Sequence, residues 1–299
     1  MGILSSIVFI FTTAACLLAK ASVPLTPAAG VFTIWPDNPP SDSVIFTRMY
    51  VFGDSYSDTG AGYVDGNGPT AVAYLADHLG FNLALPNDPN ANKQSLNFAV
   101  SGAQTGLGEG RKVKGALLGR GIANQVNDFA GRVRSKAITF DPNHTLFFLA
   151  GGLNDGRLPT AETVANLKSE IRRLYSVGAR CFSLALLPTA IPGFSDVGRR
   201  LNPDLRRIPQ ETDAELPGVH VRLSHWGEFF DDVIRNNSKY GIQNTRDACA
   251  GRAIFGEDST PCAKPAAYYY YHEGHPSTAV HKIVGDKLYA EIASTHWVR

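Results

Sequence analysis

The sequence predicts an α/β fold in which helices cover both faces of a parallel sheet. Two patterns and their junctions point to it. Short apolar runs alternate with longer amphipathic segments from Val44 onward. The longer segments repeat their apolar residues at three- and four-residue spacing, one face of a helix. The first three apolar runs each stop at a cluster of Gly, Ser, Asn and Asp, where strands of such sheets end and sites form.

In order, the strand candidates are 49–52, 96–100, 146–150, 181–187 and, less regularly, 219–223. Between them lie helix candidates near 68–79, 121–133, 160–177 and 226–236, and a further one at 276–293. In 160–177, Val164, Leu167, Ile171 and Leu174 define the apolar face. No internal repeat and no linker interrupts 44–299, which is expected to form one domain. Residues 22–43 hold Pro24, Pro27, Pro36, Pro39 and Pro40 and read as an extended lead-in, because proline ends regular helix. Residues 1–21 read as a signal peptide: the apolar run 3–18 precedes Ala19-Lys20-Ala21, a small-x-small cleavage site. An uncleaved anchor is the rival, but that run falls short of the ~20 apolar residues a spanning helix wants. Secretion to the extracellular space, without stable membrane insertion, is the expectation.

The chain carries 28 Lys plus Arg against 27 Asp plus Glu, and removal of Lys20 with the signal leaves 27 against 27. That balance argues against nucleic acid or an anionic membrane as a partner. A chain 44% hydrophobic and 18% charged, with aromatics spread along it, is neither disordered nor a disulfide-dense miniprotein. Cys249 and Cys262 bracket a Gly-, Asp- and Pro-containing stretch, as a loop-closing disulfide would; two free thiols are the alternative, less expected in an oxidising compartment. Cys181 sits in an apolar run and reads as a core thiol. Asn143-His144-Thr145 and Asn236-Asn237-Ser238 are glycosylation sequons that suit a secretory route.

The strand ends carry the chemistry. The first run leads into Gly53-Asp54-Ser55-Tyr56-Ser57-Asp58, the second into Ser101-Gly102-Ala103, the third into Gly151-Gly152-Leu153-Asn154-Asp155. A nucleophile and two groups able to donate to an oxyanion thus fall at three strand ends. Singly, each has a plain structural explanation, since Ser after Asp caps helices and Asn-Asp-Gly makes turns. Taken in order, Phe52–Gly60, Asn97–Ala103, Gly152–Asp155 and His272-Glu273-Gly274-His275-Pro276-Ser277 resemble the four sequence blocks of the GDSL, or SGNH, esterase superfamily. Asn67-Gly68-Pro69, Tyr74-Leu75-Ala76 and Tyr240-Gly241-Ile242 fit the connecting stretches, so the resemblance runs from about 46 to 293.

The resemblance implies a flavodoxin-like three-layer α/β/α sandwich with a five-stranded parallel sheet. It implies Ser55 as nucleophile and His275 as base, with an oxyanion hole from the backbone N–H of Ser55 and Gly102 and the Asn154 amide. Asp54 and Asp58 are expected to organise the nucleophile turn and a following helix by accepting N–H groups. One position departs from the family pattern, which usually carries Asp three residues before the catalytic His: here it is His272. An imidazole cannot supply the carboxylate that steadies an imidazolium. A Ser–His dyad oriented by a backbone carbonyl, a carboxylate from Glu273 or Asp258, or reduced activity all remain open. Tyr268–Tyr271 would face alternate sides of a strand, for core packing or a sugar-sized groove. The spacing of His272, His275 and His281 matches no zinc site, and no phosphate loop is present; no cofactor is implied. Within the superfamily the opening and closing blocks look most like fungal acetylesterases of carbohydrate esterase family sixteen. That implies an enzyme acting on acetylated carbohydrates or other small esters; a monomer is the separate expectation. The alternatives are a lipase or phospholipase on longer acyl chains, and a non-catalytic carbohydrate-binding protein on a degenerate hydrolase fold.

Overall fold

The computed structural model describes residues 46–297; the predicted signal peptide and proline-rich lead-in lie outside them. The chain runs β1 (Arg48–Gly53), α1 (Ala71–His78), β2 (Leu83–Ala84), β3 (Ser95–Asn97), β4 (Glu109–Val113) and β5 (Ala116–Arg120). It continues α2 (Ile122–Arg134), β6 (Thr145–Ala150), α3 (Thr160–Ser176), β7 (Cys181–Ala185), α4 (Ser195–Leu205) and α5 (Ile208–Glu215). Then follow β8 (His220–Ser224), α6 (Trp226–Arg235), β9 (Asn244–Ala248), β10 (Tyr268–His272), β11 (His275–Pro276) and α7 (Thr278–Ser294).

The main sheet has the order β2-β3-β1-β6-β7-β8, and every neighbouring pair is parallel. Helices α1, α6 and α7 pack together on one face, and α2 to α5 on the other, making a three-layer sandwich. Strands covered on both faces should be apolar without alternation. The six residues of β6 are accordingly all buried, as are the last five of β1. At the centre Tyr50, Phe129 and Phe147 interlock, with ring centroids 4.6 Å (Tyr50–Phe129) and 5.6 Å (Phe129–Phe147) apart. In α3, Leu167, Ile171 and Leu174 are buried as the spacing predicts, while Val164 is only half-buried. Cys181 is a buried free thiol on β7, and Cys249 and Cys262 form a disulfide.

The sheet has six strands rather than the expected five. The addition, β2, is a two-residue edge strand, too short to leave a periodic signature. Three other features escape sequence patterning. The hairpin β4–β5 is solvent-facing and polar on its first strand. Helices α4 and α5 carry Pro203 and Pro209, which read as helix breakers; Pro209 instead opens α5, where a missing N–H costs nothing. The small sheet β9-β10-β11 is assembled from short segments far apart in sequence. No helix among the described residues is long and apolar enough to cross a membrane.

Candidate active site

Strand β1 sits where the sheet order reverses, with β3 on one side and β6 on the other, so the turns after these three strands converge. At the end of β1 the chain cannot tolerate a side chain at Gly53, where a Cβ would lie 2.7 Å from the carbonyl oxygen of Ala150 on β6. The turn is then closed by Asp54. Its carbonyl accepts from the Ser57 and Asp58 N–H groups at 3.0 and 2.9 Å, and its Oδ1 from the Tyr56 N–H at 3.1 Å. Burial pushes the Asp54 carboxyl up to about 7, against the pull of that N–H; Asp155 and Asp58 push it further. Asp58 ties this turn to the next one, accepting from the N–H of Gly60 (2.8 Å), Gly62 (3.0 Å) and Ser101 (2.8 Å). No helix follows directly; the chain turns irregularly until α1, so both aspartates organise the turn alone.

Gly102 adopts φ +77°, a left-handed conformation that disfavours any side chain. Neither the Ser55 N–H nor the Gly102 N–H donates to another described residue. Asn154 follows β6; its Nδ2 donates to the Ala103 carbonyl at 2.9 Å, which leaves one N–H of the amide for a substrate. Its neighbour Asp155, fully buried, accepts from Thr105 N (3.1 Å), Thr105 Oγ1 (2.5 Å) and Thr163 Oγ1 (2.9 Å), locking the turn to its surroundings. Donors in such a hole are most effective when held before charge develops.

His275 arrives from the other end of the chain. Strand β10 reverses through Glu273-Gly274, with Gly274 at φ +70°, and pairs His272 with His275 across the turn. Tyr56 Oη donates to the Gly274 carbonyl at 2.7 Å, fastening this turn to the nucleophile turn. The result is a 2.9 Å contact between His275 Nε2 and Ser55 Oγ. His275 Nδ1 lies 3.0 Å from the carbonyl oxygen of Glu273 and 2.5 Å from Arg252 Nη2. Burial holds the imidazole down at about 4; Asp65 pulls it up, and Arg252 pushes it down.

Of the groups weighed for orienting His275, Glu273 contributes its carbonyl to Nδ1, and its side chain is exposed. The Asp258 carboxylate accepts from the Thr260 N–H on an exposed loop. His272 is buried, its Nδ1 3.6 Å from Asp65 Oδ1. Two residues went unmarked in the sequence. Asp65, on the loop after β1, carries no motif beyond standing two residues before Asn67-Gly68-Pro69. Arg252 lies within the disulfide loop and has no signal at all. Asn143 and Asn236 are exposed. Gln125, buried, is used structurally, holding both N–H and C=O of Gly53.

A cleft of about 570 Å³ is bounded by Ser55, Gly102, Asn154 and His275, with Asp65, Arg252, Arg111, Phe194 and Phe255 at its walls. None of Tyr268–Tyr271 lines it; Tyr269 and Tyr270 are core residues. A serine within hydrogen-bond reach of an imidazole, beside unpartnered amide donors, is the apparatus of acyl transfer.

Several known proteins are similar to this chain. Two GDSL esterase/lipases of Arabidopsis thaliana are similar to this chain. One is 22% identical over 327 residues, covering 83% of this chain and 90% of the relative. The other is 25% identical over 275 residues, covering 75% of each. Among solved structures, a catalytic mutant of the acetylxylan esterase Axe2 of Geobacillus stearothermophilus aligns at TM-score 0.44 and 16% identity, covering 84% of this chain and 96% of that one. The psychrotrophic esterase EstA of Pseudoalteromonas aligns at TM-score 0.42 and 14% identity, covering 81% and 94%. The model of the GDSL-like lipase/acylhydrolase family matches residues 49–288. With that span, the sheet order and the four converging turns, the chain belongs to the GDSL-like lipase/acylhydrolase family and is a carboxylic ester hydrolase.

Proposed function

We propose that the protein is a secreted serine esterase that removes acetyl or similarly short acyl groups from carbohydrates through a Ser55 acyl-enzyme. The observation that carries this is the 2.9 Å Ser55–His275 contact facing the free N–H groups of Ser55 and Gly102. The Ser55 proton passes to His275 Nε2 as Oγ bonds to the ester carbonyl carbon. The resulting oxyanion is received by the two backbone N–H groups and the Asn154 amide. Collapse breaks the bond to the alcohol oxygen, which takes the proton from Nε2. Water then repeats the sequence on the acyl-enzyme and releases the acid. Losing one oxyanion donor typically costs about 10²–10³ in turnover.

The short-acyl preference rests on the cleft. Leu118, Phe194 and Phe255 are its large apolar side chains, beside Arg111, Arg252, Asp65 and Ser101. A long acyl chain needs continuous apolar surface to recover about 0.8 kcal/mol per buried methylene, and a hydrophilic alcohol does not. Secretion rests on the pattern of residues 1–21. The test is hydrolysis of p-nitrophenyl esters from acetate to laurate by wild type and Ser55→Ala, with fluorophosphonate labelling of Ser55. Acetate preference lost in Ser55→Ala is expected. Laurate preference overturns the short-acyl assignment, and an unlabelled Ser55 without turnover overturns the enzyme.

A further inference from the structure

The carboxylate missing at position 272 has a counterpart elsewhere. Among the described residues, Asp65 alone places a carboxylate oxygen within 4.0 Å of a ring nitrogen of His275: Oδ2 lies 3.6 Å from Nε2. It is buried, and its surroundings favour the charged form. Burial alone would raise its carboxyl, but His272, His275, Arg252 and the Ser101 hydroxyl together hold it below the usual range. Ser101 Oγ donates to Oδ2 at 2.8 Å, so the same carboxylate is tied to the residue preceding Gly102. Arg252 Nε lies 3.0 Å from Oδ1, an ion-pair distance off the line of a hydrogen bond.

Arg252 adds a positive charge beside the base that Asp65 has to offset. A guanidinium has only donors, so its Nη2 at 2.5 Å from Nδ1 requires a bare Nδ1 and leaves the neutral ring's proton on Nε2. That tautomer donates to Ser55 Oγ and cannot take its proton. The reactive tautomer carries its proton on Nδ1, donating to the Glu273 carbonyl at 3.0 Å, and needs Nη2 withdrawn. When the Ser55 proton then reaches Nε2, the imidazolium is doubly protonated. Its Nε2 edge faces Asp65, while Arg252 opposes the new charge.

We propose that Asp65 is the positioning acid of this site: it stabilises the His275 imidazolium from the Nε2 edge and offsets the Arg252 charge that sits beside Nδ1. From the loop after β1 it thus supplies the charge that the family usually supplies from position 272. The role rests on the Ser55 acyl-enzyme proposed above. The other titratable or charged groups around His275 are Tyr56 from the nucleophile turn, Arg252 from the disulfide loop, His272 from β10 and His281 from α7. None of these is anionic, which leaves that charge to Asp65; burial keeps His281 neutral, at about 3, and lifts Tyr56 well above its ordinary value.

Asp65→Asn and Arg252→Gln break the same ion pair, so a purely structural role would move both variants in one direction. Asp65 acting through charge moves them oppositely. An opposite charge at this range is worth about one pKa unit or more, a factor of about ten. The experiment is the pH profile of kcat and kcat/KM on p-nitrophenyl acetate, with the His275 imidazole titrated by ¹⁵N NMR alongside. Asp65→Asn is expected to lower plateau kcat about tenfold and to move the acid limb and the His275 titration down by about one unit. Arg252→Gln is expected to move both up. Asp65→Glu, which keeps the charge, stays near the wild-type limb and guards against a folding defect in the Asn variant. Adding His272→Asp to Asp65→Asn returns a carboxylate to the usual position and regains most of the lost kcat. An acid limb unmoved in Asp65→Asn, or moved the same way in both single variants, overturns the proposal while Ser55-dependent turnover leaves the esterase standing. Wild type without Ser55-dependent turnover overturns both.

Discussion

Asp58→Asn tests whether the nucleophile turn and the oxyanion turn are one mechanical unit. The Asp58 side chain is fully buried. Oδ1 accepts from Gly60 N (2.8 Å) and Gly62 N (3.2 Å), Oδ2 from Gly62 N (3.0 Å) and Ser101 N (2.8 Å). Asparagine keeps one carbonyl oxygen and replaces the other with an NH₂ that faces a backbone donor. With the oxygen toward Gly60, the stranded donor is the Ser101 N–H, one residue before Gly102. Hydrogen bonds to charged groups contribute about 1.5–3 kcal/mol, and a buried donor left unsatisfied costs about 1–3 kcal/mol. One such loss, partly relieved by Gly62 shifting its bond, sets the expected destabilisation at about 2–4 kcal/mol. Urea unfolding followed by tryptophan fluorescence reads that term. Turnover of p-nitrophenyl acetate, measured where the variant is fully folded, reads the second: a fall of about tenfold or more as Gly102 loses its position. An unchanged urea midpoint would refute the energetic argument. A destabilised variant with wild-type kcat would refute the coupling, since Gly102 would then be held without Asp58.

Two further outcomes follow from the site's surroundings. Stability should fall on both sides of mildly acidic pH. His275 and His281, held at about 4 and about 3 when folded against 6.5 free, let the unfolded chain bind protons first as pH drops below 6.5. Asp54, raised to about 7 from 3.8, gives stability that is full below 3.8 and is lost as pH rises through 7. Asp54→Asn, neutral and still able to accept from Tyr56 N–H, should raise the Tm at pH 8 relative to that at pH 5, because the Asp54 loss on that side disappears; an unchanged difference would mean Asp54 is not the group responsible. Breaking the Cys249–Cys262 bridge, whose cysteines are 13 residues apart, should cost about 3 kcal/mol by loop-closure entropy. Because Arg252 rides on that loop, Cys262→Ser should also raise the acid limb of kcat/KM, and a pH profile identical to wild type would show that the loop holds Arg252 unaided.

The legible part of this protein is the part written in contiguous residues. Strands β1, β6 and β7 announce themselves because burial on both faces demands unbroken apolar runs, and the turns after β1, β3 and β6 carry Ser55, Gly102 and Asn154 within a few residues of the strand end. His272 signals that a carboxylate is missing, and nothing local says where one stands instead. Asp65 meets His275 across more than two hundred residues, in a loop of ordinary turn composition, and Arg252 reaches Nδ1 from within a disulfide-closed loop. The β4–β5 hairpin is invisible for another reason: Glu109–Val113 is exposed and charged, so burial imposes no alternation on it.

Ser55 and His275 lie 220 residues apart, one beside the central strand and the other at the margin of a small sheet. A ribosome therefore finishes the nucleophile long before it makes the base. Throughout that interval the emerging chain holds a serine with nothing to deprotonate it. Helix α7, which follows His275 at once, packs onto α1, and its His281 ring lies 6.1 Å from that of Tyr56 in the nucleophile turn. Ser55 therefore gains its base only once β11 and the chain that follows it have docked beside the nucleophile turn.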